Sequence, residues 1–102
     1  MIKLVLSDID NTLVPLGEPH ASQRAIDAIH DLISVGVRFG PATGRDYVEL
    51  MRFFRMDEAC FTTGIISNGK RVRIDGDYVF QQIIPREVLV RIDETVRSAP
   101  GV

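Results

Sequence analysis

The chain has 102 residues, 45% of them hydrophobic and 25% charged, enough for one compact domain and too few for two ordinary ones. Lys+Arg 12 against Asp+Glu 14 leaves a formal net charge of -2, so no global positive field exists to hold nucleic acid or an anionic membrane. A mean hydropathy of +0.08 excludes a mainly disordered or fibrous chain.

The opening run MIKLVLS is short, apolar and bounded by acids, which predicts a strand buried on both faces of a parallel sheet. It is far too short to span a membrane, and Asp8 and Asp10 stand where a signal peptide would still need apolar residues. The chain therefore reads as soluble and cytoplasmic. A loop through Pro15, Gly17 and Pro19 leads to a first helix. Its N-cap is Ser22, its face is Ile26, Ile29 and Ile33, and its stop is Gly36.

Val37 to Ala42 is a second short strand, followed by a helix on which Tyr47, Leu50, Met51 and Phe54 share a face and which ends near Met56. Cys60 to Ile66 is a third strand candidate, closed by the turn sequence Ser67-Asn68-Gly69. Strands joined by helical crossovers imply a parallel sheet and an α/β fold. Cys60, the single cysteine, lies in an apolar run and reads as a buried, inert hydrophobe.

Beyond Gly69 the pattern turns antiparallel: Val72 and Ile74 alternate with basic residues, Asp75-Gly76-Asp77 reads as a hairpin turn, and Tyr78 to Ile84 returns. Lys70, Arg71 and Arg73 read as a solvated strand face that discourages edge pairing. Pro85 opens a last helix with an apolar stripe of Val88, Leu89, Ile92 and Val96. That stripe needs a surface to cover, and a parallel sheet rarely stops at three strands. The expectation is a chain shorter than its fold, or one completed by a partner.

The residues able to carry chemistry cluster at the predicted strand exits, where open parallel sheets place their ligands. Asp8 and Asp10 are two apart, so an extended backbone projects both to one side. Two such carboxylates suit a hard cation, with a phosphate completing its shell. The alternative is that Asp8 caps a turn and Asp10 is a solvated loop acid. At the second exit, Thr43 offers a hydroxyl, and Gly44 lets backbone N–H groups approach an anion at the start of the next helix. Thr-Gly is equally a routine strand-to-helix turn, and Arg45 either meets a substrate anion or pairs with a neighbouring acid. His20 and His30 have no second His or Cys at ligand spacing and read as solvated or capping.

Taken together, D-x-D-x-T at Asp8, Asp10 and Thr12, A-T-G-R at Ala42 to Arg45, and S-N-G at Ser67 to Gly69 resemble the haloacid dehalogenase-like phosphohydrolases, in their Cof-type sugar phosphatase branch. The resemblance covers nearly the whole chain. It implies a partial doubly wound, Rossmann-like parallel sheet over residues 1–69, the N-terminal half of a phosphatase core, followed over 70–102 by the start of an α+β cap. It further implies Asp8 as the nucleophile that forms an aspartyl-phosphate. Mg²⁺ would be held by the Asp8 carboxylate and the backbone carbonyl of Asp10. Asp10 would be acid and then base, with a pKa above that of Asp8, because one group must ionise while the other carries a proton. Thr43 would hold a phosphoryl oxygen, and Thr12, Gly44, Arg45, Asn68 and Gly69 would face a small phosphorylated substrate.

Asn11 stands where this branch usually has Gly, Ser7 where an aromatic is commoner, and Pro41 removes a donor before the A-T-G-R turn. The family's Lys and its later G-D-x-x-N-D run have no counterpart: Lys3 and Lys70 are out of order. On this reading the chain is a fragment, inactive or feeble by itself. Two alternatives stand beside it. A receiver-like signalling domain would carry its phosphoacceptor at the third strand exit. A non-enzymatic homologue would act by association through its exposed sheet edge or helix stripe.

Overall fold

A computed structural model describes residues 1–99 and 101. The first strand, β1 (Leu4–Ser7), pairs in parallel with β2 (Arg38–Pro41), in the register Leu4 with Arg38 to Ser7 with Pro41. The crossover between them is helix α1 (Gln23–Ser34). The Ser22 hydroxyl accepts from the Ala25 N–H at 3.1 Å and caps its start. At its end Gly36, with φ +85, lets its own N–H reach the Ile33 carbonyl while the Val37 N–H reaches that of Leu32, the Schellman arrangement that a left-handed glycine permits. Ile26 and Ile29 are buried, and Ile33 sits at the rim.

β1 is not covered on both faces. Leu4 and Leu6 are 46% and 42% exposed, because nothing in the described residues packs on the side of the strand that carries them; with Ile65, Val72 and Ile74 they border a shallow apolar hollow.

Helix α2 (Tyr47–Phe53) is shorter than its apolar pattern. Phe54 closes it, and Arg55 and Met56 take left-handed backbone with φ of 54° and 68°. Leu50, Phe53 and Phe54 are buried, and Phe61 stacks on Phe54 with centroids 5.7 Å apart while meeting Tyr47 edge-on at 5.4 Å. Burial of side chains this size contributes roughly 1.5–3 kcal/mol each, so the core that holds the fold lies among Ile9, Leu50, Phe54, Phe61 and Ile66, all at 1% exposure or less.

The third strand is reduced. Glu58–Cys60 winds into a single 3-10 turn, started by the Asp57 carboxylate accepting from the Ala59 N–H at 3.2 Å, and only Gly64–Ile66 forms β3. Its parallel contact with β2 is the single bridge Ala42 to Ile65, with the Thr43 N–H donating to the Ile65 carbonyl at 2.9 Å. Its main partner is antiparallel: β4 (Arg71–Ile74), which in turn pairs with β5 (Asp77–Gln81). Of the three strands expected to be parallel, β1 and β2 form a parallel pair and β3 joins it through one bridge, while the hairpin beyond Gly69 is antiparallel as expected and draws β3 into its own three-stranded sheet. The boundary at 69/70 falls just before β4, and strand pairing crosses it between β3 and β4.

Asp75 and Gly76 form the hairpin turn with φ of 51° and 89°, the pair of left-handed residues that a two-residue hairpin favours. The turn folds back on the core: the Asp75 N–H donates to the Thr63 hydroxyl at 3.0 Å, and its carboxylate accepts from both Nε and Nη2 of Arg38. Arg73 departs from the solvated face expected of it. Its guanidinium lies 5.1 Å from the Tyr47 ring and 5.3 Å from that of Tyr78, bound by the attraction of a cation for aromatic faces. Helix α3 (Arg86–Ser98) buries no residue among those described, and Val88, Leu89, Ile92 and Val96 stay 41–50% exposed. A helix of this length is marginal in water without packing, so its apolar stripe draws nothing from the core. No helix among the described residues is long and apolar enough to cross a membrane.

Gly40 permits the approach of β2 to β3: a Cβ there would stand 1.8 Å from the Thr63 carbonyl oxygen and 2.5 Å from its carbon. Both are backbone atoms, so no side chain can move aside. Gly40→Ala is expected to lower the unfolding free energy by about 3 kcal/mol, read as a lower urea midpoint; an unchanged midpoint would contradict this account of the approach.

Candidate active site

The exits of β1, β2 and β3 meet at one end of the sheet. Beyond β1, Ile9 is fully buried and anchors a tight loop in which the Leu13 and Val14 N–H groups both reach its carbonyl. The flanking Asp8 and Asp10 are exposed, as alternation about a buried residue requires. Asn11 takes φ 62°, a left-handed backbone that Asn tolerates and that lets it stand in for the family's Gly. One Asp8 oxygen accepts from the Ile9 N–H at 3.0 Å and the other from the Thr12 hydroxyl at 3.3 Å. A carboxylate has about four lone-pair sites, so Asp8 keeps capacity for a further hard ligand.

Asp10 has different partners. Arg45 donates to both its oxygens, from Nη2 at 3.0 Å and Nε at 3.2 Å, while Nη1 donates to Glu49 at 2.5 Å and the guanidinium carbon lies 5.1 Å from the Phe53 ring centroid. Arg45 therefore pairs with neighbouring acids, one of the two roles left open for it. The charged hydrogen bonds from Arg45 hold the Asp10 carboxyl below the ordinary carboxylate range, outweighing the desolvation that pushes it the other way. The role of general acid implies a proton held on this carboxyl, and the Arg45 pairing works against that. In this arrangement Asp10 is an ionised partner of Arg45, and its side chain is already committed. Of the Asp8/Asp10 pair, the Asp8 carboxylate is the one with no cationic partner and with lone pairs to spare, and an oxygen donor of that kind fits a hard cation such as Mg²⁺.

The second and third exits are stitched together. The Asn68 N–H donates to the Thr43 carbonyl at 3.1 Å and the Ser67 N–H to the Arg45 carbonyl at 2.9 Å. The Thr43 hydroxyl accepts from the Arg45 N–H at 3.1 Å. A Cβ on Gly44 would stand 2.7 Å from Asn68 Oδ1, so Gly44 is the space into which the Asn68 side chain lies. Ser67, Asn68 and Gly69 all adopt positive φ, 52°, 56° and 85°, which brings the chain back toward β2. Thus Thr43, Gly44, Arg45, Asn68 and Gly69 share one corner with Asp10, and Asp8 and Thr12 sit on its adjoining loop.

Gly44 does not open a helix N-terminus to an anion. α2 starts at Tyr47, and the Asp46 carboxylate caps it by accepting from the Glu49 N–H at 3.0 Å, so negative charge already occupies that position. Glu49 and Phe53, which hold Arg45 in place, carry no motif of their own. The i,i+4 spacing of Arg45 and Glu49 was the available signal. A cavity of about 220 Å³ beside this corner is lined by Asp10, Asn11, Val14, Glu18, Arg45 and Phe53, among others. His30 is exposed, as expected of a solvated histidine, and it also has a partner that its spacing does not reveal: its Nε2 lies 2.6 Å from Asp57 Oδ2.

The haloacid dehalogenase-like hydrolase family matches residues 5–100. The chain belongs to this family. Among solved structures it is similar to BT1666 of Bacteroides thetaiotaomicron, a phosphatase of the haloalkanoate dehalogenase superfamily (28% identity, 95% of this chain and 35% of that one, TM-score 0.68). A haloacid dehalogenase-like hydrolase from Bacteroides thetaiotaomicron is similar at 25% identity over 96% of this chain and 38% of that one, TM-score 0.70. The fold is also that of the subclass IIB sugar phosphatase BT4131 (22% identity, 93% and 37%, TM-score 0.63). No curated protein sequence gives a significant match. The chain spans 35–38% of the length of these solved chains, and its fold is the partial Rossmann-like core of the family.

Arg45 lowers the Asp10 pKa, so the pair stabilises the folded chain above the unfolded carboxylate pKa, and that contribution fades as pH falls through the lowered folded value. Followed by carboxyl carbon shifts without Mg²⁺, the Asp10 midpoint is expected below the ordinary Asp range and back within it in Arg45→Gln. A midpoint that Arg45→Gln leaves unmoved would contradict the pairing.

Proposed function

We propose that Asp8 is the phosphoryl acceptor of a Mg²⁺-dependent phosphohydrolase acting on a small phosphorylated metabolite of the sugar phosphate type. The observation that carries this reading is the corner itself: Asp8, an exposed carboxylate with spare lone pairs, lies on the loop that also carries Asp10, and Arg45 ties Asp10 to the turn that holds the Thr43 hydroxyl and Asn68. Membership of the hydrolase family and likeness to a phosphatase at 28% identity support it. The cavity beside Asp10 and Arg45 is about 220 Å³, below the range of roughly 300–1,000 Å³ usual for drug-sized ligands, and the shared fold of a sugar phosphatase agrees with a small polar substrate.

On this reading the Asp8 carboxylate attacks phosphorus, the bond to the leaving oxygen breaks, and water later attacks the aspartyl-phosphate, so that one difficult displacement becomes two easier ones. Bound at Asp8 and the Asp10 carbonyl, Mg²⁺ would mask the charge that otherwise repels a carboxylate from phosphate. The Ile9 N–H and the Thr12 hydroxyl orient the nucleophile. The Thr43 hydroxyl, held by the Arg45 N–H, donates its own proton toward a phosphoryl oxygen. Asp10, ionised in this pair, can act as the acid only after Arg45 loosens its hold and the carboxylate takes up a proton from solvent, which it then gives to the leaving oxygen. In the second displacement it takes a proton back from the attacking water. A substrate phosphate, competing for the same guanidinium, supplies the reason for Arg45 to loosen its hold.

The full-length gene product is expected to release phosphate from sugar phosphates with Mg²⁺ and to stop on chelation. Asp8→Asn should lower kcat at least about 10³-fold, as loss of a nucleophile does. Undiminished turnover in Asp8→Asn would refute the assignment, and absence of turnover on every phosphomonoester tried would favour the non-enzymatic alternative.

A further inference from the structure

His30, Asp57 and Cys60 lie outside the corner described above. Each offers one donor atom, and the three atoms lie within 4.8 Å of one another. Asp57 and Cys60 are three residues apart at the start and end of the 3-10 turn, so that turn places both on one side. His30 reaches them from α1, with Nε2 2.6 Å from Asp57 Oδ2. No spacing rule could have found this set, because the histidine is brought by tertiary packing across 27 positions.

We infer that His30, Asp57 and Cys60 form a second metal site, for a borderline-soft divalent cation such as Zn²⁺. The donor set is one imidazole nitrogen, one carboxylate oxygen and one thiolate sulfur, a combination that suits Zn²⁺ and its neighbours, whereas Mg²⁺ and Ca²⁺ want oxygen throughout. Bonds of about 2.0–2.3 Å to a tetrahedral ion put donors roughly 3.3–3.7 Å apart, so the set closes with side-chain rotation and no change of fold. The shortest contact, His30 to Asp57, opens as the cation replaces the proton they share. Cys60 binds as the thiolate and its proton goes to solvent.

The surroundings favour a cation. Asp27 and Asp31 on α1 add their negative potential to that of Asp57 at the His30 ring. The His30 side chain is 46% exposed and gives the ion an entry path, while Cys60 is fully buried and supplies the dry side. A catalytic triad would use the same three residue types, but Cys60 has no exposed surface for a substrate, and burial pushes its thiol up to about 12. An activated nucleophile has the reverse properties.

Cobalt(II) is the probe, titrated into the protein with Mg²⁺ in excess so that oxygen-only sites are filled. One equivalent is expected to produce thiolate-to-cobalt charge-transfer absorption in the near ultraviolet together with the visible bands of four-coordinate cobalt, and Zn²⁺ should bleach both. Cys60→Ser should remove the charge-transfer absorption. His30→Gln changes an exposed side chain, preserves the fold, and should weaken cobalt binding at least about tenfold. The inference is overturned if the unaltered protein shows no charge-transfer band, if the band survives in Cys60→Ser, or if His30→Gln binds cobalt as tightly as before. Should Cys60→Ser fail to fold, the unaltered protein and His30→Gln decide the question by themselves.

Discussion

Where β2 meets β3, the Gly40 backbone comes so near the Thr63 carbonyl that no side chain larger than hydrogen can stand between them. Much of the site geometry follows from that approach. It lets the Thr43 N–H reach the Ile65 carbonyl, and from there the two chain exits run side by side long enough for Asn68 and Ser67 to donate to the carbonyls of Thr43 and Arg45. Gly44 repeats the device one turn later, leaving room for the Asn68 side chain. Two glycines without Cβ atoms thus align groups from strands that share only a single bridge.

Charge at the corner is organised around Arg45. It binds Asp10 on one side and Glu49 on the other, and Phe53 backs it. The pairing neutralises Asp10, leaves Asp8 as the carboxylate with free lone pairs, and keeps a cation beside the cavity where an anionic substrate would arrive. Two neighbouring acids with different partners have different duties available to them. That asymmetry is set by residue 45 and not by any difference in burial, since both aspartates are exposed.

Local chemistry was legible from the residues. Ser22 and Gly36 marked the ends of α1 because a hydroxyl cap and a left-handed glycine act within a few residues. Asp75-Gly76 marked the hairpin for the same reason. Effects that depend on distant partners were not legible. The apolar run from Cys60 to Ile66 reads as a strand, yet Asp57 winds its beginning into a 3-10 turn and buried Phe61 pins it there. Arg73 reads as a solvated edge charge until Tyr47 and Tyr78 are brought against it. The D-x-D motif located the site, while the direction of the Asp10 pKa was hidden because Arg45, its cause, lies 35 positions away.

The exposed faces of β1 and α3 belong to the same physical picture. A core of fully buried aromatics and aliphatics supports the strand exits, whereas the stripe on α3 is supported by nothing among the described residues. The central claim is that a phosphoryl group passes onto Asp8. Borohydride reduction of the full-length protein during turnover of a sugar phosphate, followed by peptide mass spectrometry, tests it most directly. Homoserine is expected in place of aspartate at position 8 alone. Reduction at another carboxylate, or an unmodified Asp8 in an enzyme that is turning over, would contradict it.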